Sequence, residues 1–221
     1  MARQLRLRLA GYPVHAVQRG INHAACFQRD NDYLGYLQLM MEHAQQFGCA
    51  VHAYVLMTNH VHLLVTPQHA DGLSLLMKNV GQRYVQYVNR TYGRSGTLWE
   101  GRFRSSVVDQ QAYLLSCYRY IELNPVRAGM VDHPRQYRWS SYRTNAERVR
   151  SPLVVPHAEY VALGADDERR AGAYRGLFER GLDEVCLGEI RDAANGGWVL
   201  GRREFRVEMA RRIQEQAHGG V

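Results

Sequence analysis

Apolar and polar positions alternate along two neighbouring stretches of the chain. In the first, from Cys49, the residues Val51, Ala53, Val55 and Met57 recur at every second place. After Thr58-Asn59 the run His60-Val61-His62-Leu63-Leu64-Val65-Thr66 alternates again. A period of two predicts strands, and so short a link makes them an antiparallel hairpin. Pro67 cannot donate to a ladder and ends it. Elsewhere the period lengthens to that of a helix. Asp32 to Phe47 places Tyr33, Leu34, Leu37, Met40, Met41 and Ala44 on one stripe, with Asp30 or Asn31 as cap and Gly48 as terminator. Gly72 to Tyr92 does the same with Leu73, Leu76, Met77, Val80 and Tyr84.

The remaining elements follow from shorter signals. Tyr12 to Gln18 reads as a strand with His15 and Val17 on one face and Val14, Ala16 and Gln18 on the other, closed by a turn at Arg19-Gly20-Ile21-Asn22. Thr97 to Val108 reads as extended. Asp109 suits the N-cap of a helix from Gln110 to about Leu123, which Pro125 and Gly129 punctuate. The order β-α-β-β-α-β followed by a helix predicts an α+β fold: a ferredoxin-like, RRM-like antiparallel sheet with helices on one face. Past Arg143 the pattern changes. Residues 144–168 read as loop, Ala171 to Arg180 and Glu184 to Ala194 as helices, Asn195-Gly196-Gly197 as a turn, and Arg202 to Gln216 as a basic helix with Phe205, Met209 and Ile213 along one side. The expected division is a catalytic domain over 1–145 and a helical, basic C-terminal extension over 146–221, with a basic arm over the first ten residues and a frayed last four.

Charge narrows the choice of partner. The 221 residues carry a formal net charge of +7 and a pI near 9.4, and all of the Lys and Arg positions but Lys78 are arginine. Guanidinium forks match phosphate oxygens two at a time, so nucleic acid is the expected partner. Cys26, Cys49, Cys117 and Cys186 are scattered, with no C-x-x-C pair, which excludes a zinc ribbon and reads as buried thiols in a reducing compartment. No apolar run is long enough to span a membrane, and the N-terminus lacks a signal core. The expectation is a cytoplasmic protein with no membrane partner.

The chemistry starts at His60-Val61-His62. On a strand both imidazoles point the same way and form half of a divalent-metal site. The second half is expected on the helix ending Tyr118-Arg119-Tyr120-Ile121-Glu122-Leu123-Asn124. A tyrosine can attack phosphorus and conserve the bond energy as a covalent phosphotyrosine. Tyr118 with Glu122, and Tyr120 with Asn124, are each four apart and share a helix face, but the two tyrosines point nearly opposite ways. Spacing alone leaves the pairs tied.

The run His52-Ala53-Tyr54-Val55-Leu56-Met57-Thr58-Asn59-His60-Val61-His62-Leu63-Leu64 resembles the His-hydrophobic-His strand of the single-tyrosine transposases of the insertion-sequence 200/605 type. Arg119-Tyr120-Ile121-Glu122-Leu123-Asn124-Pro125-Val126-Arg127-Ala128-Gly129 resembles the tyrosine helix of the branch associated with repetitive extragenic palindromes (REP), and Trp139-Ser140-Ser141-Tyr142 is also similar to that branch. The resemblance covers roughly residues 11 to 145. It implies Tyr120 as nucleophile and His60, His62 and Asn124 as ligands of Mg²⁺ or Mn²⁺. It also implies cleavage and rejoining of single-stranded DNA beside a hairpin, through a 5′-phosphotyrosine with a free 3′-OH, by a monomer or a homodimer.

Expected DNA contacts are Arg19, Arg83, Arg102, Arg104 and Arg127, with Asn59 orienting a phosphate or a base and the Arg202 to Arg212 cluster available to a hairpin stem. Competing expectations are a catalytically silent palindrome-binding protein, a hydrolytic metal-dependent nuclease of single strands, and a small-molecule metalloenzyme.

Overall fold

The computed structural model describes residues 9–196 and 199–218. Among them four strands form one antiparallel sheet: β1 (Val14–Arg19), β2 (Cys49–Leu56), β3 (His60–Pro67) and β4 (Arg104–Val107), in the order β2-β3-β1-β4. This is the split βαβ arrangement. The β2–β3 hairpin supplies one half of the sheet, and β1 lies between β3 and β4.

The register sorts the side chains. Val17 faces His62 and Arg19 faces His60 across β1 and β3, while Arg104 faces Val17 and Ser106 faces His15 across β1 and β4. His15, Val17, Arg19, His60, His62 and Arg104 therefore share one face. Val61, Leu63 and Val65 point to the other, where α1 (Asp30–Gln46) and α2 (Gly72–Tyr92) pack. The histidine face is covered instead by α3 (Gln110–Glu122) and α8 (Glu184–Gly196). Helices thus cover both faces, not one, because the imidazole face carries Leu64, Val55 and Ala53 as well and needs its own apolar cover.

Several boundaries differ from the sequence expectation. The α1 stripe is rotated: Tyr33, Tyr36, Met40 and Ala44 are buried, whereas Leu34 is 51% exposed. Tyr36 decides the rotation by joining Phe27, Tyr84 and Trp99 in one aromatic cluster. The N-cap is Arg29, and the buried Asp32 three residues on accepts from the backbone N–H of Gln28 and Arg29 at 2.8 and 3.0 Å. The segment expected to be extended from Thr97 pairs only briefly. Trp99 bridges Gly20 and the Glu100 N–H donates to Arg19 O at 2.9 Å, but the chain then leaves the sheet and rejoins it at Arg104. That detour forms one lip of the site.

The stretch 144–168 is not wholly loop. It holds the end of α5 (Tyr142–Glu147) and all of α6 (Ala158–Val161), followed by α7 (Asp167–Glu179). Asn195 and Gly196 close α8 and are not a turn, while Gly197 lies outside the described residues. Helix α9 spans Arg203–His218, and the expected N-terminal arm is described only from Leu9. Of the last four residues, expected to fray, His218 ends α9 and 219–221 lie outside the described residues. The extension does not stand apart: Tyr160, Tyr174, Leu187, Ile190, Leu200 and Met209 belong to the same hydrophobic core as the sheet. Cys26, Cys49 and Cys117 are buried free thiols, and Cys186 is half-buried. No described helix is long and apolar enough to cross a membrane.

Candidate active site

His60 and His62 sit on β3 facing a cleft of about 370 Å³, with ring centres 5.0 Å apart. The hairpin tip that precedes them is pinned: Cys26 N–H donates to Thr58 O, and Gly20 N–H to Asn59 O, both at 2.8 Å. Asn59 Nδ2 donates to His23 O at 3.1 Å, which orients the amide so that Oδ1 faces His60 Nδ1 at 2.7 Å. A carbonyl oxygen only accepts, so Nδ1 carries the hydrogen and His60 Nε2 keeps its lone pair.

His62 is held differently. Its Nδ1 lies 2.8 Å from His15 Nε2, and the two rings stack at 5.1 Å. Burial, then Arg127, pushes His15 down to about 4. Burial, then Arg19 and His23, does the same to His60, and burial with the neighbouring His15, His60 and Arg127 holds His62 well below the usual histidine range. All three are neutral imidazoles at physiological pH.

Above them stands α3. Tyr120 lines the cleft, and its ring is 5.9 Å from that of His62 and 5.8 Å from that of His15, edge-on to both. Tyr118 points the other way, buried beside Tyr160 and Tyr174. Glu122 follows Tyr118 into that interior. It accepts from Ser141 Oγ at 2.6 Å, Asn145 Nδ2 at 2.8 Å and Tyr174 OH at 2.7 Å, and burial pushes its carboxyl up to about 7. The helix is thereby fastened to α5 and α7 on one side while it offers Tyr120 on the other. Sequence spacing could not separate the two tyrosines; the side of α3 that meets the sheet does.

The rest of the expected set divides. Arg19, Asn59, Arg102 and Arg104 line the cleft with the histidines. Arg19 is paired with Glu100 at 2.7 Å, and Arg104 Nη1 donates to Asn195 Oδ1 at 3.4 Å. Arg127 does not line the cleft. Its guanidinium stacks 4.2 Å from the Tyr120 ring centre. Arg83 is exposed on α2, which packs on the opposite face of the sheet. Asn124 opens the short α4 (Asn124–Arg127), half-buried, and is not among the residues lining the cleft. The cleft also contains residues that the sequence reading passed over: His23, Glu100, and Arg191 and Asn195 from α8. His15, buried behind His62 and outside the cleft lining, was also passed over, although it shares a strand face with Val17 and Arg19.

Among the described residues no group of three or more His, Cys, Asp or Glu side chains is set to hold a metal ion. The donors that do face the cleft nonetheless suit one: two neutral imidazoles on a rigid strand, with Nε2 of His60 free and room for phosphate oxygens and water.

Residues 9–124, more than half of the chain, match the family described as "Transposase IS200 like". No curated protein sequence matches the chain. Among solved structures, the chain is similar to a REP-associated tyrosine transposase bound to a REP hairpin: TM-score 0.59 and 15% identity, over 71% of this chain and 93% of that one. It is less similar to a candidate transposase from Deinococcus radiodurans R1 (TM-score 0.36, 21% identity, 53% of this chain and 95% of that one). It also matches a bacterial tRNA(His) guanylyltransferase-like protein in complex with GTP (TM-score 0.38, 12% identity, 59% and 72%). The first likeness is one of fold. With a family match over more than half its length, this DNA-binding chain belongs to the IS200-like transposases.

Proposed function

We propose that this transposase cleaves and rejoins single-stranded DNA beside a hairpin, with Tyr120 as nucleophile. The observation that carries the reading is the placement of Tyr120 and the His60–His62 pair in one arginine-lined cleft. The Tyr120 oxygen attacks the scissile phosphorus, a P–O bond forms, and the bond to the 3′-oxygen breaks. The products are a 5′-phosphotyrosine and a free 3′-OH, with the phenolic proton lost and the 3′-oxygen protonated. The conserved bond energy makes the step reversible, so rejoining needs no ATP. Arg19, Arg102 and Arg104 hold phosphates in register. Arg127 and the α3 packing keep the ring in place.

His60 and His62 would hold Mg²⁺ or Mn²⁺; Asn124, which the family resemblance implies as a further ligand, follows Tyr120 by four residues and stands outside the cleft lining, so it would have to turn into the cleft to join them. Such an ion would polarise the phosphate and offset the charge that builds on it. The extension supplies one wall of the cleft through Arg191 and Asn195, so the catalytic unit includes α8.

The test uses the full-length protein with Mn²⁺ and a labelled single strand carrying a hairpin, resolved on a denaturing gel. A protease-sensitive shifted band is expected in wild type and Tyr118→Phe, and its loss is expected in Tyr120→Phe. A band that survives in Tyr120→Phe would reject the nucleophile. Cleavage without a band would mean hydrolysis, and tight salt-sensitive binding with no cleavage would mean a silent palindrome reader.

A further inference from the structure

We propose that His15 is a positioning residue for the metal centre, fixing His62 in the tautomer that leaves Nε2 free. The inference rests on reading His60 and His62 as the metal ligands.

Each ligand histidine faces a second group through Nδ1. His60 Nδ1 meets Asn59 Oδ1 at 2.7 Å, and His62 Nδ1 meets His15 Nε2 at 2.8 Å. The Asn59 oxygen can only accept, so it fixes His60 outright. The His15–His62 pair has two solutions, because a nitrogen-to-nitrogen contact of 2.8 Å holds one hydrogen, which either ring can supply. If His15 Nε2–H donates, His62 carries its own hydrogen on Nε2, and the nitrogen facing the cleft is blocked. If His62 Nδ1–H donates, Nε2 is a free lone pair and the hydrogen of His15 moves to Nδ1.

The second arrangement makes the two ligands alike and gives each an acceptor behind it, the arrangement that orients metal-binding imidazoles and raises their basicity. It also places a buried N–H at His15 Nδ1. No protein group is bonded to that nitrogen, and Ser106, opposite His15 across β1 and β4, has a buried Oγ that is likewise unbonded. These two orphan atoms on adjacent strands are not bonded to each other, so one buried water between them would give His15 Nδ1–H its acceptor and complete the chain Ser106–His15–His62. His15 is fully buried between β3, β4 and Tyr120, so it acts on the site only through His62 and the Tyr120 ring.

The experiment has two readouts, neither of which is turnover. Nitrogen-15 spectra of the metal-free, full-length protein report histidine tautomers, and Mn²⁺ titrations report affinity. Wild type is expected to show His62 as the Nδ1–H tautomer. His15→Leu is expected to weaken Mn²⁺ binding about 10- to 100-fold at an unchanged circular dichroism spectrum. His15→Gln, whose carbonyl oxygen can accept from Nδ1–H, is expected to recover most of it. An Nε2–H tautomer of His62 in wild type would overturn the proposal, even if His15→Leu failed to fold. So would Mn²⁺ affinity in His15→Leu within about twofold of wild type while His60→Ala abolishes binding; that result would spare the metal-site reading. Absence of Mn²⁺ binding in wild type would overturn both.

Discussion

The guanidinium of Arg127 lies 4.2 Å from the centre of the Tyr120 ring, and its Nη2 donates to the carbonyl oxygen of the same residue at 2.6 Å. One side chain therefore holds both the ring and the backbone of the proposed nucleophile. Arg127 is seven residues on, past the end of α3, so the clamp depends on α4 bringing the chain back over the helix terminus. Burial lowers the Arg127 guanidinium from its usual range, yet the group keeps its charge near neutrality. Arg127→Ala should slow phosphotyrosine formation by about 10- to 100-fold, the usual cost of a misplaced reacting group. Arg127→Lys should be intermediate, because it keeps the charge and loses the fork. Binding of a single strand should change little. An affinity loss with an unaltered adduct rate would make Arg127 a DNA contact instead.

Arg102 and Arg104 make the opposite case. They line the cleft on the chain that leaves and rejoins the sheet. Replacing either by Ala should weaken binding of a single-stranded oligonucleotide across sequences and reduce the slope of log affinity against log salt by about 0.7, the single-strand value for one phosphate. Arg83→Ala, on the far face of the sheet, should leave both quantities unchanged. Fluorescence anisotropy at four or five salt concentrations decides. A fall in slope for Arg83→Ala would show that DNA wraps around α2.

Gly20 is fixed by close approach and not by its backbone angles, which suit most residues. A Cβ there would run into the Ala24 carbonyl oxygen and lie 2.7 Å from Cys26 Sγ. Gly20 also donates to Asn59 O, the residue that orients His60. Gly20→Ala should cost about 1–3 kcal/mol through overpacking and weaken Mn²⁺ binding in step. Denaturant titration paired with Mn²⁺ titration checks this, and full stability with full affinity would refute the pinning of the hairpin tip.

Asp32 sets an acid limit on stability. Burial pushes its carboxyl up, but the N–H of Gln28, the Tyr92 hydroxyl, the N–H of Arg29 and the Tyr87 hydroxyl outweigh it and hold the group below the usual carboxylate range. A folded-state value below the unfolded one means that the unfolded chain binds the proton more readily. The stabilisation is therefore complete above about pH 5 and is lost as pH falls through the folded value. Asp32→Asn should cost about 1.5–3 kcal/mol at pH 7, the range for hydrogen bonds to a charged group, and much less near pH 2. Urea titrations of both proteins at the two pH values measure it. A difference that did not shrink with acid would show that the ionised form is not what matters.

The sequence by itself determined the strand and helix order, the common face of His60 and His62, and an arginine-rich chain suited to phosphate. These are legible because periods of two and 3.6 and turn chemistry are local properties. The tie between Tyr118 and Tyr120 was not legible, because a helix buried on both sides carries apolar and aromatic residues all round. Only its docking shows that Tyr120 meets the sheet while Glu122 reaches Ser141, Asn145 and Tyr174. The rotation of α1 toward Tyr36 had the same cause. His15, Glu100 and Asn195 lie 47, 38 and 133 residues in sequence from the β3 histidine His62, and no periodicity links them to it. Strand register, the detour after Trp99 and the return of α8 onto the cleft brought them there. Those are long-range packing choices, decided by which surfaces bury one another in the folded chain.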